Sequence, residues 1–447
     1  MYKRQGVEHH PQNIPDEIGY DRIRDAFRSK SEIAYQGAVQ RLDNKRTHLK
    51  QNPKPADNAV VPEFKRMPPA VWIGPSALTI PCPVTDMEQL SNRLSKVFSD
   101  YPELFNHCVK VYQKRVDYYR LTSEGQKILQ PDTVFHITAR ASIKTDGNEV
   151  KTEYYRLHVG GINDLPSEDA LIGELHRFAE YMQQKSQAKA VEDLYIGPVL
   201  YEDDAAMELL AEKIADYSHS YWISIRNQSD RKHRYLGKQV FPPALSVCQL
   251  GNDSVYNGVK LLGYRQVDAD GTKPKTLPII EKGILKHMLT GRTPSLGCPA
   301  STGNEHFDGL SRTLETRYTA GVFRVTSNRP VPYSKLYKRF LKAAKKAGLE
   351  HTYIIRKNRT SPYALIRVDL STGKEELIEG NYNSPSREQF KRMHAISKEE
   401  NVYNLDPAGG KGLGIISPKA ILLEDMELDI TPNRARHIDE AFYELRH

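Results

Sequence analysis

Apolar positions recur every three or four residues across residues 21–51, at Ile23, Phe27, Ala34, Ala38, Leu42 and Leu49, with Lys, Arg and Glu between them. That spacing predicts one long amphipathic helix. Pro53 and Pro55 end it. The following stretch NPKPADNAVVPEFKRMPPAVW reads as an extended linker. Residues 1–65 are therefore set apart as a helix and a Pro-rich connection.

From residue 66 the pattern alternates between the two periods. Met87, Leu90, Leu94 and Phe98 line one face of a helix in DMEQLSNRLSKVFSDYPEL, whereas CVKVYQKRVDYYRLTS is rich in Val and Tyr and predicts strand. VFHITARASIKTDGNEVKTEYYRLHVGG predicts two strands joined at Asp146-Gly147, a hairpin signal. A helix follows with Ser167 as N-cap and Leu171, Leu175, Phe178 and Met182 on its apolar face. These elements make a mixed α/β N-terminal domain over 66–188. After the polar stretch QQKSQAKAVED, a second domain over 189–447 opens with a helix and turns strand-rich. Short strands flank the Asp270-Gly271 turn. SKLYKRFLKAAKKAG reads as a helix capped by Ser334 and closed by Gly348, and GLGIISPKAILLEDMELDI supplies the last two strands. Helices and strands without regular βαβ alternation indicate a two-domain α+β fold preceded by a long helix.

Composition narrows the functional classes. No apolar run approaches the roughly 20 residues of a membrane helix, so no membrane partner is expected. The start, MYKRQGVEHHPQN, lacks an apolar leader core. That implies a cytoplasmic protein on the sequence as given, and an exported one if the true N-terminus lies upstream. A formal net charge of +8 over 447 residues is a mild bias and does not by itself call for nucleic acid. Cys82, Cys108, Cys248 and Cys298 form no CxxC pair, which argues against a zinc ribbon or a dense disulfide framework. Walker A, strand-borne GxGxxG and GxSxG motifs are absent.

Candidate chemistry concentrates in AAMELLAEKIADYSHS, residues 205–220. At 100° per residue, Glu212, Asp216 and His219 fall within roughly 60° of one another on a helix. They could reach one metal ion, and the same spacing describes any solvated helix face. The loop Ser301, Thr302, Gly303, Asn304 offers several hydrogen-bonding groups for a peptide, or forms a structural turn. His176 and Glu180 read as an exposed i, i+4 pair, and His233, Glu305 and His306 as surface loop residues. Lys335, Lys338, Arg339, Lys342, Lys345 and Lys346 form a basic helix face that could meet phosphates but reads more simply as solvated.

Taken in order, YIGPVLYEDDAAMELLAEKIA, VDADGTKPKTLPIIEKGILKHMLTGR, STGN and GIISPKAILLEDMEL resemble the TldD/PmbA family, whose members are also called modulators of DNA gyrase. The resemblance covers roughly residues 130–435. It implies a two-domain α+β protein with a strand-rich C-terminal domain, assembled as a dimer around a chamber. TldD-type subunits are implied to be zinc metallopeptidases acting on peptides, with an HExxxH helix after the GPVLF segment and a distal cysteine. PmbA-type (TldE) subunits share the fold without that site. Here the two histidine positions fall on Ala211 and Asp216, and only the glutamate is kept, as Glu212. The distal cysteine would fall within 401–412, and no cysteine occurs after Cys298. A catalytic zinc takes three protein ligands and a water, and a carboxylate base has no activated water to deprotonate without it. The resemblance therefore implies a non-catalytic TldE/PmbA-type subunit with no cofactor, pairing with itself or with a zinc-bearing TldD-like paralogue, with Glu212 the one retained catalytic position. The alternative is an active metallopeptidase with an atypical zinc site at Glu212, Asp216 and His219. A weaker alternative is a basic nucleic-acid-binding protein.

Overall fold

The computed structural model describes residues 19–51, 68–81, 83–145, 149–218, 232–292, 298, 300–307, 316–318, 320–361, 363–406 and 412–430. Helix α1 spans Tyr20–Gln51 as the sequence period requires. The N-terminal sheet is built from β1 (Val71–Ile73), β2 (Phe105–Leu121), β3 (Lys127–Lys144) and β4 (Val150–Val159). β2 and β3 are antiparallel over Cys108–Leu121, and β4 pairs on the other side of β3 from Lys144↔Val150 onward. This is the arrangement of the expected hairpin, although Asp146 and Gly147 themselves lie outside the described residues.

The two faces of this sheet have opposite partners because side chains alternate along each strand. Odd-numbered positions such as Val109, Ile137, Ala139 and Leu157 pack under helices α2 (Val84–Ser95) and α3 (Glu168–Ser186). Ser167 caps α3 as its sequence predicts, its hydroxyl accepting from the Ala170 amide at 3.3 Å. Even-numbered positions face the C-terminal part of the chain and are largely polar. Gln126 and Gln130 donate to the carbonyls of Asp270 and Asp268, and Arg265 pairs with buried Asp132 at 3.2 Å. Trp72 Nε1 donates to Gln266 at 3.1 Å.

The C-terminal part holds two further sheets. The seven-stranded sheet runs in spatial order Met393–Ile396, Ala420–Ile430, β6 (Asp193–Asp203), His351–Lys357, Ala364–Asp369, Glu375–Glu379 and β5 (Lys189–Ala190). Its central strands are continuous apolar runs, buried on both faces as such runs require. The six-stranded sheet centres on Leu245–Gln249 and Val322–Ser327. Helix α4 (Asp204–Ser218) packs on β6 and buries Met207, Leu210 and Ile214. Residues Thr360–Ser361 leave this region and pair with Tyr154 and Tyr155 of β4, so the two halves share a sheet.

Helix α5 (Tyr333–Lys346) starts two residues earlier than a cap at Ser334 would place it. Ser334 lies inside the first turn, and the Tyr333 amide is capped by the Glu399 carboxylate at 2.8 Å, a favourable charge at the helix N-terminus. Gly348 closes the helix at φ 72°, where glycine avoids a Cβ clash. The short helix α6 (Arg387–Lys391) begins in a capping box between Ser386 and Gln389.

A second polar seam joins β2–β4 to the segment after Glu400–Leu405. His136 stands between His158, Nδ1 to Nδ1 at 3.0 Å, and Asp406, Nε2 to Oδ2 at 3.3 Å. Lys114 Nζ reaches both Asp406 oxygens at 2.8 and 2.9 Å, and Tyr112 stacks on His136. Despite burial, the hydrogen bonds from His136 and Lys114 hold Asp406 below the usual carboxylate range. Burial, reinforced by His136, pushes His158 down to about 4. The unfolded chain therefore binds the His158 proton first as pH falls below the ordinary value of about 6.5, and stability is lost between there and pH 4. Buried Asp268 and Glu153, both pushed up to about 7, act in the opposite sense. The expected result is a difference between chains: denaturant titrations should show the native sequence losing roughly 2 kcal/mol more than His158→Gln from pH 6.5 to 4.

Candidate functional site around helix α4

Strand β6 ends at Asp203, which adopts φ 54°, and the chain turns directly into α4. Asp204, the first helical residue, accepts the Arg359 amide at 2.7 Å, and burial pushes its carboxyl up to about 6. Helical spacing places Glu208, Ala211, Glu212 and Ala215 along one side of α4. Glu208 is fully engaged: Lys357 Nζ lies 2.5 Å from one oxygen, and the Tyr363 hydroxyl donates to the other at 2.6 Å. Lys357 also lies 5.0 Å from the Tyr363 ring centroid. Ala211 is half-buried and packs against the main hydrophobic core. Glu212 is exposed at the carboxylate and accepts from Lys213 Nζ at 2.7 Å and Ser384 Oγ at 3.2 Å.

Of the three sequence candidates for a metal site, only Glu212 can be placed with its side chain. Asp216 lies on α4, but its side chain and all of His219 fall outside the described residues. Glu208 was not singled out from sequence, although it sits four residues before Glu212. Its importance comes from Lys357 and Tyr363, about 150 residues away. The segment 401–412 contributes Asp406 to the seam with His136 and Lys114.

Ser301–Asn304 is tied into the body. Thr302 Oγ1 donates to Asn304 Oδ1 at 2.7 Å, and fully buried Asn304 Nδ2 donates to Gln249 Oε1 at 2.6 Å. Gly303 stands at φ 77°, where an added Cβ would meet the Lys273 carbonyl at 2.6 Å. These bonds fix the turn from within. Upstream, Asp268 Oδ1 accepts the amides of Asp270 and Thr272 at 2.9 and 2.8 Å, and Oδ2 accepts the amide of Glu305 at 3.2 Å.

Three surface readings are corrected. Glu305 and His306 are buried and belong to a strand, Glu305–Phe307, paired with Thr316–Tyr318. His176 is half-buried, with Nδ1 3.0 Å from the Tyr101 hydroxyl, so it is not a free surface partner for Glu180. In each case a distant strand or loop supplies the cover.

An open groove runs between α2 and β2, lined by Val84, Met87, Ser91, Val109, Val111 and Tyr112. It belongs to the N-terminal sheet and not to α4.

Residues 196–330, which include α4 and the Ser301–Asn304 turn, match the family model of the PmbA/TldA metallopeptidase C-terminal domain. No curated protein matches the chain. The fold is similar to that of a candidate modulator of a DNA gyrase from Thermotoga maritima MSB8, at 14% identity and a TM-score of 0.54, covering 82% of this chain and 78% of that one. It is also similar to TldE from Thermococcus kodakarensis, at 11% identity and a TM-score of 0.54, covering 92% and 86%. A candidate modulator of DNA gyrase from Bacteroides thetaiotaomicron VPI-5482 shares the fold at 14% identity and a TM-score of 0.53, covering 86% and 80%. Residues 196–330 thus match a PmbA/TldA-type C-terminal domain, and over most of its length the chain shares the α+β fold of the proteins called TldE and modulator of DNA gyrase.

Proposed function

We propose that this protein is a non-catalytic, TldE/PmbA-type subunit that supplies the scaffold of a peptide-processing assembly, paired with itself or with a zinc-bearing TldD-type paralogue. The observation that carries the reading is the α4 side holding Glu208, Ala211 and Glu212. Ala211 offers no donor and packs against the core. Both carboxylates already have cations, Glu208 from Lys357 and Glu212 from Lys213. A zinc ion held by this side of α4 would need three protein donors and would have to displace those lysines. The segment that should bring a distal thiolate has Asp406, itself engaged by Lys114 and His136. Among the described residues this donor set does not fit a catalytic zinc, and no hydrolytic step is derived through one.

The test is metal analysis and peptide hydrolysis on the purified full chain, alone and mixed with a TldD-type paralogue that retains HExxxH. The expected result is substoichiometric zinc and no peptide hydrolysis alone, with activity appearing only in the mixture. Stoichiometric zinc that is lost in the Glu212→Ala, Asp216→Ala double variant would overturn it in favour of an atypical metallopeptidase site.

A further inference from the structure

The helix-covered face of the N-terminal sheet is only half covered. Helices α2 and α3 shield the rows of β3 from Phe135 to Ile143. Toward the other end, the turn Ala77–Thr79 is anchored over β2 by the Asp117 carboxylate, which accepts the Ala77 amide at 2.8 Å. Beyond it, among the described residues, the side chains at both edges of the same face are exposed, around buried Leu129. The register Val71↔Lys127↔Leu121 and Ile73↔Leu129↔Tyr119 puts Val71 and Ile73 on one side of Lys127 and buried Leu129, and Tyr119 and Leu121 on the other, all on that face. The exposures of Val71, Ile73, Tyr119 and Leu121 are 66%, 62%, 68% and 74%, and neighbouring Leu78 is 61% exposed. Together these side chains expose on the order of 500 Å² of mostly apolar surface, at the upper end of what a monomer leaves open.

Among the described residues, helix α1 has an apolar stripe that is equally uncovered. Tyr20, Phe27, Tyr35 and Leu42 lie within roughly 80° on α1, and all four are exposed, Phe27 at 65% and Tyr35 at 67%. Helix α1 immediately precedes this sheet in the chain. The 19 residues 52–70 that join it to β1 could span roughly 60 Å if extended. Elsewhere on this face the sheet is completed by helices, so a third amphipathic helix is the chemically matched cover. In this structure the chain's own α1 leaves both surfaces open.

We propose that α1 of a second copy of this chain packs on the bare face formed by β1 and the end of β2. Reciprocal exchange buries both stripes and both sheet faces and closes with twofold symmetry. A pair of such contacts removes about 1,000 Å² or more in total, the scale of a specific interface. The arm is thus an association device, independent of whatever α4 does.

The test mixes two full-length preparations, one carrying Phe27→Cys and the other Tyr119→Cys, under mild oxidation. The expected result is a dimer-sized disulfide species in the mixture, much weaker with either preparation alone and with the native sequence, whose own cysteines serve as the control. Adding Tyr35→Asp and Leu42→Asp to the arm should abolish it, and these exposed positions leave the body's core intact. A cross-link that forms only when both cysteines are in one chain would place the helix on its own sheet and overturn the exchange. Absence of any cross-link, with arm variants leaving oligomeric mass unchanged, would overturn the docking altogether. Neither result bears on zinc content, so the function proposed above stands or falls separately.

Discussion

Gly263→Ala is expected to prevent this protein from reaching its folded state at ordinary temperatures, or to lower its melting temperature by 10 °C or more, roughly the effect of a loss of 4 kcal/mol or more. A Cβ at this position would stand 1.5 Å from the Gly321 carbonyl oxygen and 2.6 Å from the Gly414 amide nitrogen. Gly321 immediately precedes the strand Val322–Ser327 and Gly414 lies in its partner Leu413–Pro418, the two joined by the Gly414 N–H to Gly321 O bond of 2.9 Å. No rotamer change relieves the clash, so either the 261–265 loop lifts away or the strands part. Far-UV dichroism and a thermal melt of the purified variant would measure it. A melt within 3 °C of the parent would mean that the loop does not approach the strands as described.

Asp268→Ala is the second large effect, expected to cost roughly 3–5 kcal/mol because three buried or half-buried amides lose their acceptor together. Those amides belong to Asp270, Thr272 and Glu305. Asp268→Asn should cost much less, since Oδ1 can still accept from Asp270 and Thr272. Burial, followed by repulsion from Asp270, pushes the Asp268 carboxyl up to about 7. The folded protein therefore holds this proton where the unfolded chain has released it, and its contribution to stability declines as pH rises from about 4 to 7. Denaturant titrations of the parent and Asp268→Asn across that range should diverge in this sense, the parent losing stability relative to the variant as pH increases. Parallel curves would show that Asp268 is ionised throughout.

Local features were legible in the sequence and remote ones were not. The Ser167 cap, the Gly348 stop and the strand alternation of β2 to β4 follow from neighbours a few residues away. The cap of α5 is Glu399, far along the chain, so a nearby serine was the natural but incorrect choice. VDADG announced a turn. Its burial depends on Gln126, Gln130 and Arg120 arriving from the N-terminal sheet, and on Arg120 Nη2 meeting Asp270 at 2.8 Å. At the candidate site the sequence exposed Ala211 and Glu212, because one helix period suffices to compare them. It was silent on Glu208, whose partners Lys357 and Tyr363 come from another strand and loop, and on the Ser384 contact to Glu212.

The strand Ala420–Ile430 lies between Met393–Ile396 and β6, and its Ala420 pairs with Glu202 across more than 200 residues. β6 is the strand that carries α4. During synthesis, therefore, one side of β6 has no mate until nearly all of the chain has emerged, and its apolar residues must wait exposed. Such distant closure makes folding slow and leaves an unpaired edge open to aggregation in the meantime. The part of the molecule that bears α4 is among the last to become a finished sheet. The N-terminal hairpin, closed between neighbours, can form long before it.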